Sequence, residues 1–226
     1  LNLNATSIST GKKLSSNSSA LVFKQSQGKL KLEVNLNPGC GEVYTISPPS
    51  AGSFGFRARR ISDSRVGMVT SGHVIGLGLN TYYDGSIIGV CSASQESGTI
   101  DAAFIPISNL ASFTPTNTLC GTSNTLSTTT SQPGVGTTIN KIGVETNATS
   151  GTILSTNASV PSGGIIISNL TSANYLSADG DSGGIVYSYL SSTGVRPTVG
   201  IHMGVIGSTR YFCKADEVLS TFGLTR

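Results

Sequence analysis

Short apolar runs alternate with polar and glycine-rich turns along most of the chain, a pattern typical of β-strands rather than helices. In the first half, strands are predicted at roughly 43–46, 54–61, 65–71, 86–92 and 100–106. In the second half, strands are predicted at roughly 137–143, 151–156, 164–168, 184–190, 197–203 and 209–213. The pattern therefore predicts an all-β protein with two successive sets of about six strands.

The N-terminal segment departs from this regular pattern. Residues 1–20 are polar and rich in serine and asparagine, and we expect them to be loosely held. Leu21–Phe23 and Lys29–Leu36 flank a polar turn at 26–28, which predicts a β-hairpin with one buried face. This extension either adds strands to an existing sheet or is the remnant of a pro-segment.

A connection and a helix complete the organisation. Residues 108–136 are rich in serine, threonine, asparagine and proline without apolar periodicity, as expected of a connection between two lobes. Only Lys214–Phe222 carries apolar residues at helical spacing, and Gly223 follows it as a stop signal. The predicted domains are an N-terminal extension 1–40, a first strand set 41–115, a connection 116–135, and a second strand set with the helix 136–226.

Charge is sparse and restricts the possible partners. Only 11% of the 226 residues are charged and the net charge is +3, against about 25% charged residues in an average soluble domain. The densest basic group, Arg57, Arg59 and Arg60, fits a solvated strand face better than a nucleic-acid site. No apolar run approaches the length of a membrane span. We therefore expect neither nucleic acid nor a membrane as partner.

The cysteines fit no metal site. Cys40, Cys91, Cys120 and Cys213 lie too far apart in sequence for metal-ligand spacing, so no metal and no other cofactor is expected. They form up to two disulfides or remain buried thiols. Asn-X-Ser/Thr triplets give weak support for secretion; they begin at Asn4, Asn17, Asn147, Asn157 and Asn169.

The strongest chemical signal is Gly180-Asp181-Ser182-Gly183-Gly184. A serine hydroxyl is a poor nucleophile unless a base takes its proton and donors stabilise the resulting oxyanion. Glycines without a Cβ allow the N–H groups of Gly180 and Ser182 to turn toward one point. The segment therefore predicts a nucleophile turn, which requires a histidine and an acid elsewhere in the chain.

His73 and Asp101 are the candidates for these two roles. His73 follows a hydrophobic strand at a small-residue turn, and Asp101 stands within an apolar strand. A buried carboxylate is costly unless it is hydrogen-bonded, and an imidazole N–H would satisfy it. Taken singly, His73 could be structural and Asp101 could pair with backbone amides. Together with Ser182 they follow the order His, Asp, Ser, one of the three known triad orders, with the serine in the second strand set.

Three motifs carry a resemblance to a known family. Thr70–Val74, Asp101–Phe104 and Gly180–Gly184 resemble the histidine, aspartate and serine motifs of chymotrypsin-fold serine proteases, and the resemblance covers roughly residues 41–223. It implies two six-stranded antiparallel β-barrels with a short C-terminal helix, here preceded by the N-terminal β-hairpin extension. It also implies a monomer acting on protein or peptide substrates, with His73 as base, Asp101 as orienting acid and Ser182 as nucleophile.

Within this family the chain looks closest to the bacterial and viral branches. Residues 136–143 and 149–152 resemble the opening strands of the second barrel in α-lytic-type proteases, which carry a basic residue near the position of Lys141. By that analogy Lys141 pairs with Asp181, the acid before the nucleophile.

The cysteine pattern also departs from the animal enzymes. Val74 and Ala178 stand where those enzymes usually carry disulfide cysteines. The cysteines must therefore pair differently, if at all, and we expect Cys40 with Cys120, tying the N-terminus to the connection between the lobes.

The resemblance also places the substrate pocket. Leu176 occupies the base position, so no acid stands there to bind a lysine or arginine side chain. The later wall is the strand Val199–Gly204, which contributes Ile201 and Gly204 as well as the second histidine, His202.

This wall suggests an acidic substrate side chain. Its Gly-Ile-His-X-Gly pattern around His202 resembles glutamate-specific endopeptidases of staphylococcal and viral type. Those enzymes pair the histidine with a serine or threonine five residues before the nucleophile, where Ser177 stands. An imidazole and a hydroxyl donate two hydrogen bonds to a carboxylate, one of them charge-assisted if His202 is protonated.

Alternatives remain open at this stage. His202 could instead be satisfied by backbone groups beside a small apolar pocket. The chain could be an inactive protease homologue acting as a binding module, or a β-sandwich adhesin with a chance serine motif. A secreted microbial enzyme and a viral polyprotein protease acting in the host cell would share these motifs, and the sequons and cysteines favour secretion.

Overall fold

The computed structural model describes residues 22–26 and 29–226, with side chains from Val34 onward, and most of its regular structure is strand. The polar segment 1–20 with its two sequons, Leu21 of the predicted hairpin, and residues 27 and 28 of the predicted turn lie outside the described residues. The strands before the connection are β1 Val22–Ser26, β2 Lys29–Leu36, β3 Glu42–Ile46, β4 Pro49–Ser53, β5 Arg57–Arg60, β6 Val66–Thr70, β7 Asn80–Tyr83, β8 Ser86–Val90, β9 Ala93–Ser97, β10 Ile100–Pro106 and β11 Phe113–Pro115. The later elements are β12 Thr138–Gly143, β13 Asn147–Ser162, β14 Ile165–Ala173, β15 Ile185–Tyr187, β16 Thr198–Ile206, β17 Thr209–Lys214, α1 Ala215–Phe222 and β18 Leu224–Thr225.

The second half closes into a barrel. Its strands pair antiparallel in the order β12-β13-β14-β17-β16-β15. Alternate residues point inward, as strand geometry requires, and form a buried core of Ile139, Ile153, Ala173, Tyr175, Val186, Val199 and Phe212. The predicted six-stranded barrel is confirmed here.

The first half consists of two packed sheets, ordered β18-β5-β6-β10-β9 and β4-β3-β7-β8. All residues of β10 are buried, which matches its continuous apolar sequence. The prediction missed β4, β7, β9 and β11. Pro49–Ser53 and Ala93–Ser97 lie at sheet edges and carry no apolar alternation, so the pattern that marks half-buried strands is absent from them.

The N-terminal extension forms the predicted hairpin. β1 pairs antiparallel with β2, and β2 pairs parallel with β11. A disulfide joins Cys40 to Cys120, the pairing expected from the sequence, while Cys91 and Cys213 are buried free thiols. The extension is therefore attached to the rest of the fold by strand pairing and by a covalent bond.

The predicted C-terminal helix is confirmed as α1, which ends at Gly223 in the left-handed region with φ of +61°. Beyond it, β18 returns to the first half and pairs with β5. None of the described residues forms a helix with the length and apolar character needed to cross a membrane. The proposed domain boundaries stay a prediction.

One apolar core joins the two halves. Side chains from β5, β6 and β10 pack with side chains from β12, β15, β16 and α1, among them Ala58, Val69, Phe104, Ile142, Ile185, Ile201 and Val218. Since interiors pack densely and deform little, this core fixes how the loop after β6 faces the turn before β15.

Candidate active site

Ser182 lies on a tight turn between β14 and β15, and both halves of the molecule hold it. The backbone N–H of Ser53 donates to the carbonyl of Ser182 at 2.7 Å, and the N–H of Gly183 donates to the carbonyl of His202 at 2.7 Å. Gly183 has φ of +85°, and a Cβ at this position would lie 2.1 Å from Thr70 Oγ1. Only glycine fits there, which explains one glycine of the motif.

His73 and Asp101 form a close pair. Asp101 is fully buried in β10, and its Oδ2 lies 2.5 Å from His73 Nδ1. Its second oxygen accepts the backbone N–H of His73 at 2.9 Å. With Nδ1–H donated to the carboxylate, the Nε2 lone pair is available to the cleft. The imidazole is thus fixed in position and tautomer.

The surroundings of His73 favour its protonated form. Burial acts to lower the pKa of His73, but the hydrogen bond and charge of Asp101, with the charge of Glu96, raise it above its ordinary value. This histidine therefore becomes an imidazolium more readily than one in water, as a proton acceptor must.

The Ser182 hydroxyl and the His73 ring both face the strand residue Met203. Ser182 Oγ donates to the Met203 carbonyl at 3.3 Å, and His73 lines a cleft of about 330 Å³ together with Met203 and Gly204. Within the described residues no hydrogen bond joins Ser182 to His73. Such bonds are often long in unliganded sites and tighten when substrate binds.

The N–H groups of Gly180 and Ser182 donate to no described residue. Gly180 has φ of +97°, and a Cβ there would lie 2.7 Å from Glu145 Cγ. Ser53 Oγ donates to the Gly180 carbonyl at 2.8 Å and accepts the N–H of Val144 at 2.9 Å. These bonds fix the peptide that follows Gly180 and leave two N–H groups available to a ligand.

Asp181 points away from the cleft into a buried ion pair, as expected from the resemblance. Lys141 Nζ lies 2.7 Å from Asp181 Oδ2, and both side chains are fully buried. Burial alone would raise the pKa of Asp181, but hydrogen bonds from Lys141 and Thr146 hold it below its ordinary range. Further donors to this carboxylate are Thr146 Oγ1, Ala178 N, Glu145 N and Thr146 N. The turn is thus anchored from below.

His202 is enclosed within the second barrel and is neutral. Its side chain is 2% exposed, and Nδ1 lies 2.9 Å from the hydroxyl of the fully buried Tyr175. Burial, with the charge of Lys141, lowers the pKa of His202 to about 3. When the Tyr175 O–H donates to Nδ1, the proton of the neutral ring is on Nε2. A charged His202 is therefore not available to a substrate at neutral pH.

Two predicted pocket residues are placed differently. Leu176 is 64% exposed; a side chain at the base of an enclosed pocket would be buried, so the structure does not place Leu176 there. Ile201 is fully buried in the core shared by the two halves, because it points to the face of β16 opposite His202. Gly204 lines the cleft beside His73, and Ser177 Oγ accepts a bond from Arg210 Nε at 3.4 Å.

Solved structures show what this arrangement is similar to. A protease from Nocardiopsis superposes with a TM-score of 0.71 at 26% identity, covering 85% of this chain and 98% of its own. A glutamic-acid-specific serine protease, described as using a histidine triad in substrate binding, gives a TM-score of 0.68 at 26% identity, with 84% and 98% covered. The chain is a serine endopeptidase of the chymotrypsin fold.

Further comparisons support the fold of this endopeptidase. Protease A of Thermobifida fusca has a TM-score of 0.70 at 24% identity, with 85% of this chain and 98% of its own covered. No protein-family model matches the chain, and no curated protein sequence matches it.

Several residues at the site of the endopeptidase were not predicted from sequence. Ser53, Tyr175 and Glu96 lie on segments without a motif. Only the fold brings Glu96 to the cleft, Ser53 to the Gly180 carbonyl and Tyr175 to His202. Arg210 carried one signal, since a basic residue on the strand after His202 is unusual in a chain so poor in charge. Among the described residues, no group of three or more histidine, cysteine, aspartate or glutamate side chains could hold a metal ion.

Proposed function

We propose that this endopeptidase cleaves peptide bonds after acidic residues, with Ser182 as nucleophile, His73 as base and Asp101 as the acid that orients it. The observation that carries the proposal is the double attachment of His73 to a fully buried Asp101, at 2.5 Å and 2.9 Å, beside a serine on a bonded turn. Burying a carboxylate this deeply is costly unless it is paired and hydrogen-bonded, and His73 supplies both hydrogen bonds.

The reaction follows from this geometry. His73 Nε2 accepts the proton of Ser182 Oγ as the oxygen attacks the substrate carbonyl, and Asp101 stabilises the imidazolium. The N–H groups of Gly180 and Ser182 bind the oxyanion of the tetrahedral intermediate. The imidazolium then gives its proton to the leaving amine, an acyl-enzyme remains on Ser182, and water hydrolyses it with His73 again as base.

The preference for an acidic residue at P1, the residue before the cleaved bond, rests on His202 and Ser177. With Nδ1 occupied by the Tyr175 hydroxyl, Nε2 of His202 forms no hydrogen bond with the described residues, and it carries the ring proton when Tyr175 donates. Ser177 accepts from Arg210 through its oxygen, so its O–H is available to donate. Two donors without acceptors suit a carboxylate.

Secretion is also proposed. A disulfide between Cys40 and Cys120 persists in an oxidising compartment and is rare in the cytosol. The sequon residues Asn147 and Asn157 are exposed, as glycosylation would require.

The substitution Ser182→Ala tests the mechanism. We expect it to abolish labelling by a fluorophosphonate probe and to lower kcat by about 10⁶-fold, as loss of the nucleophile does in such triads. Ser191→Ala, at an exposed turn serine, is the matched control and should label normally. Undiminished hydrolysis by Ser182→Ala would refute the assignment.

A peptide-library cleavage profile tests the substrate. The proposal expects glutamate at P1 to be preferred over leucine and alanine. A profile with no such preference would reject the acidic specificity while leaving the endopeptidase mechanism in place.

A further inference from the structure

Arg210 is a cation that lies beside the site and forms no ion pair with the described side chains. It lies on β17, where Nε donates to Ser177 Oγ at 3.4 Å and Nη1 donates to the Ser208 carbonyl at 2.7 Å. Among the described side chains, no carboxylate lies within ion-pairing distance of its guanidinium. Arginine presents five donors in a planar fork, and most of this fork is unused.

Strand geometry places Arg210 on the same face as His202. Arg210 and Phe212 are two residues apart on β17 and so point to one face. Phe212 stands directly opposite His202 on β16, and directly opposed residues share a face. Tyr211, between them, points the other way and lines the cleft beside His73. His202, Ser177 and Arg210 therefore converge on one side of the β16–β17 hairpin.

A substrate carboxylate entering this place needs a positive charge, because an ion leaving water must be paired. His202 cannot supply the charge, since its ring is neutral. Lys141 cannot supply it either, because Asp181 already pairs with it. Arg210 remains. Arg210 is also close enough to His202 to affect its ionisation. Burial is the main cause that lowers the pKa of His202, and the positive charge of Arg210 contributes to the lowering.

We propose that Arg210 is the residue that selects an acidic P1 side chain, pairing its guanidinium with the substrate carboxylate while His202 Nε2–H and the Ser177 hydroxyl donate to it. This inference rests on the proposed function. It assigns the charged contact to a residue of β17, which lies outside both the serine motif and the strand β16 that carries His202.

The test compares kcat/KM for peptides that differ only in glutamate, glutamine or alanine at P1. In Arg210→Gln we expect kcat/KM for the glutamate peptide to fall by about 30- to 100-fold, the effect of losing a charged hydrogen bond. The glutamine and alanine peptides should change by less than about threefold, and fluorophosphonate labelling should be unchanged. Arg59→Gln removes an equal charge from an exposed strand position and should change none of these.

A second variant separates charge from packing. Arg210→Lys keeps the charge and should recover at least about tenfold of the activity that Arg210→Gln loses on the glutamate peptide. Equal losses in the two variants would mean that Arg210 only packs the hairpin, and would overturn the inference.

The outcomes distinguish the two levels of the proposal. If the unaltered protein neither labels nor hydrolyses any peptide, the proposed function fails. If the unaltered protein hydrolyses all three peptides equally, the acidic specificity and the role of Arg210 both fail, while the endopeptidase mechanism stands. If it prefers glutamate and Arg210→Gln keeps that preference, the acidic specificity stands on His202 and Ser177, and only the role of Arg210 is rejected.

Discussion

Two cations near the site have opposite surroundings. Lys141 is fully buried beneath the nucleophile turn and is paired with Asp181, whose oxygens also receive several backbone and side-chain donors. Arg210 is partly exposed on β17 and has no carboxylate partner among the described residues. One charge is paired with a carboxylate, whereas the other has only neutral acceptors, a hydroxyl and a carbonyl, among the described residues.

The difference indicates what each charge does. A buried ion pair with all its hydrogen bonds made holds the local structure, because removing either partner leaves an uncompensated charge in the interior. A partly exposed guanidinium costs little while water solvates it, and it becomes a strong partner when a carboxylate displaces that water. Lys141 thus shapes the turn, and Arg210 is available to a ligand.

The largest expected effect breaks the buried pair. In Lys141→Met we expect the free energy of unfolding to fall by about 3 kcal/mol, because Asp181 keeps its charge without its cation. Denaturation with urea measures it. Arg210→Met is the matched control and should change stability by less than about 0.5 kcal/mol. An equal cost in the two variants would remove the distinction between the cations.

The loss of stability in Lys141→Met should depend on pH. The pKa of Asp181 is lowered in the folded protein, so its stabilisation is present above the unfolded-state pKa of about 3.9 and is lost as pH falls through the folded value. The stability gap between Lys141→Met and the unaltered protein should therefore narrow below about pH 4. A gap that widens in acid would contradict the ion pair.

A smaller effect is expected at Ser53, which belongs to the structural side of the comparison. Ser53→Ala removes the bonds from Oγ to the Gly180 carbonyl and from Val144 N–H. We expect a loss of about 1–2 kcal/mol in stability and a roughly tenfold lower kcat with KM little changed, because the peptide beside the oxyanion donors loosens. Ser86→Ala, at an exposed strand end, is the control. A changed P1 preference in Ser53→Ala would contradict a purely positioning role.

The smallest expected effect is on the preference for glutamate over glutamine at P1, which should not change with pH near neutrality. The pKa of His202 is about 3, so between roughly pH 6 and 8 the ratio of kcat/KM for glutamate and glutamine peptides should not change. The absolute rate should fall on acidification, because protonated His73 can no longer act as the base. The midpoint of this fall should lie above pH 6.5, since the pKa of His73 is raised above the ordinary histidine value of 6.5. A ratio that titrates within that range would show that His202, rather than Arg210, carries the charge.

The fold was predictable, and the candidate reacting groups could be selected, because both depend on local patterns. The glycines around Ser182 and the carboxylate within the apolar Ile100–Pro106 strand each violate an ordinary rule, and such violations mark a site. The pairing of Lys141 with Asp181 came from resemblance, since nothing in the spacing of two residues forty positions apart reveals a contact.

The pocket was less predictable because it depends on register. β16 has a register shift between His202 and Gly204, and one extra residue changes which side chains face inward. Ile201 precedes this shift and points away from His202 by strand alternation alone, so its assignment to the pocket was wrong. The position of Arg210 opposite Val205 likewise depends on hairpin pairing, which the alternation of a single strand does not show.

The strand β18 has a consequence for how the molecule assembles. It pairs with β5 of the first half, although the entire second barrel lies between them in sequence, and Arg226 reaches back to the carbonyl of Arg57. During synthesis the first half therefore lacks one strand of its sheet until the second barrel has been made. Completion of the sheet that carries Asp101 thus depends on residues that are made after the whole second barrel.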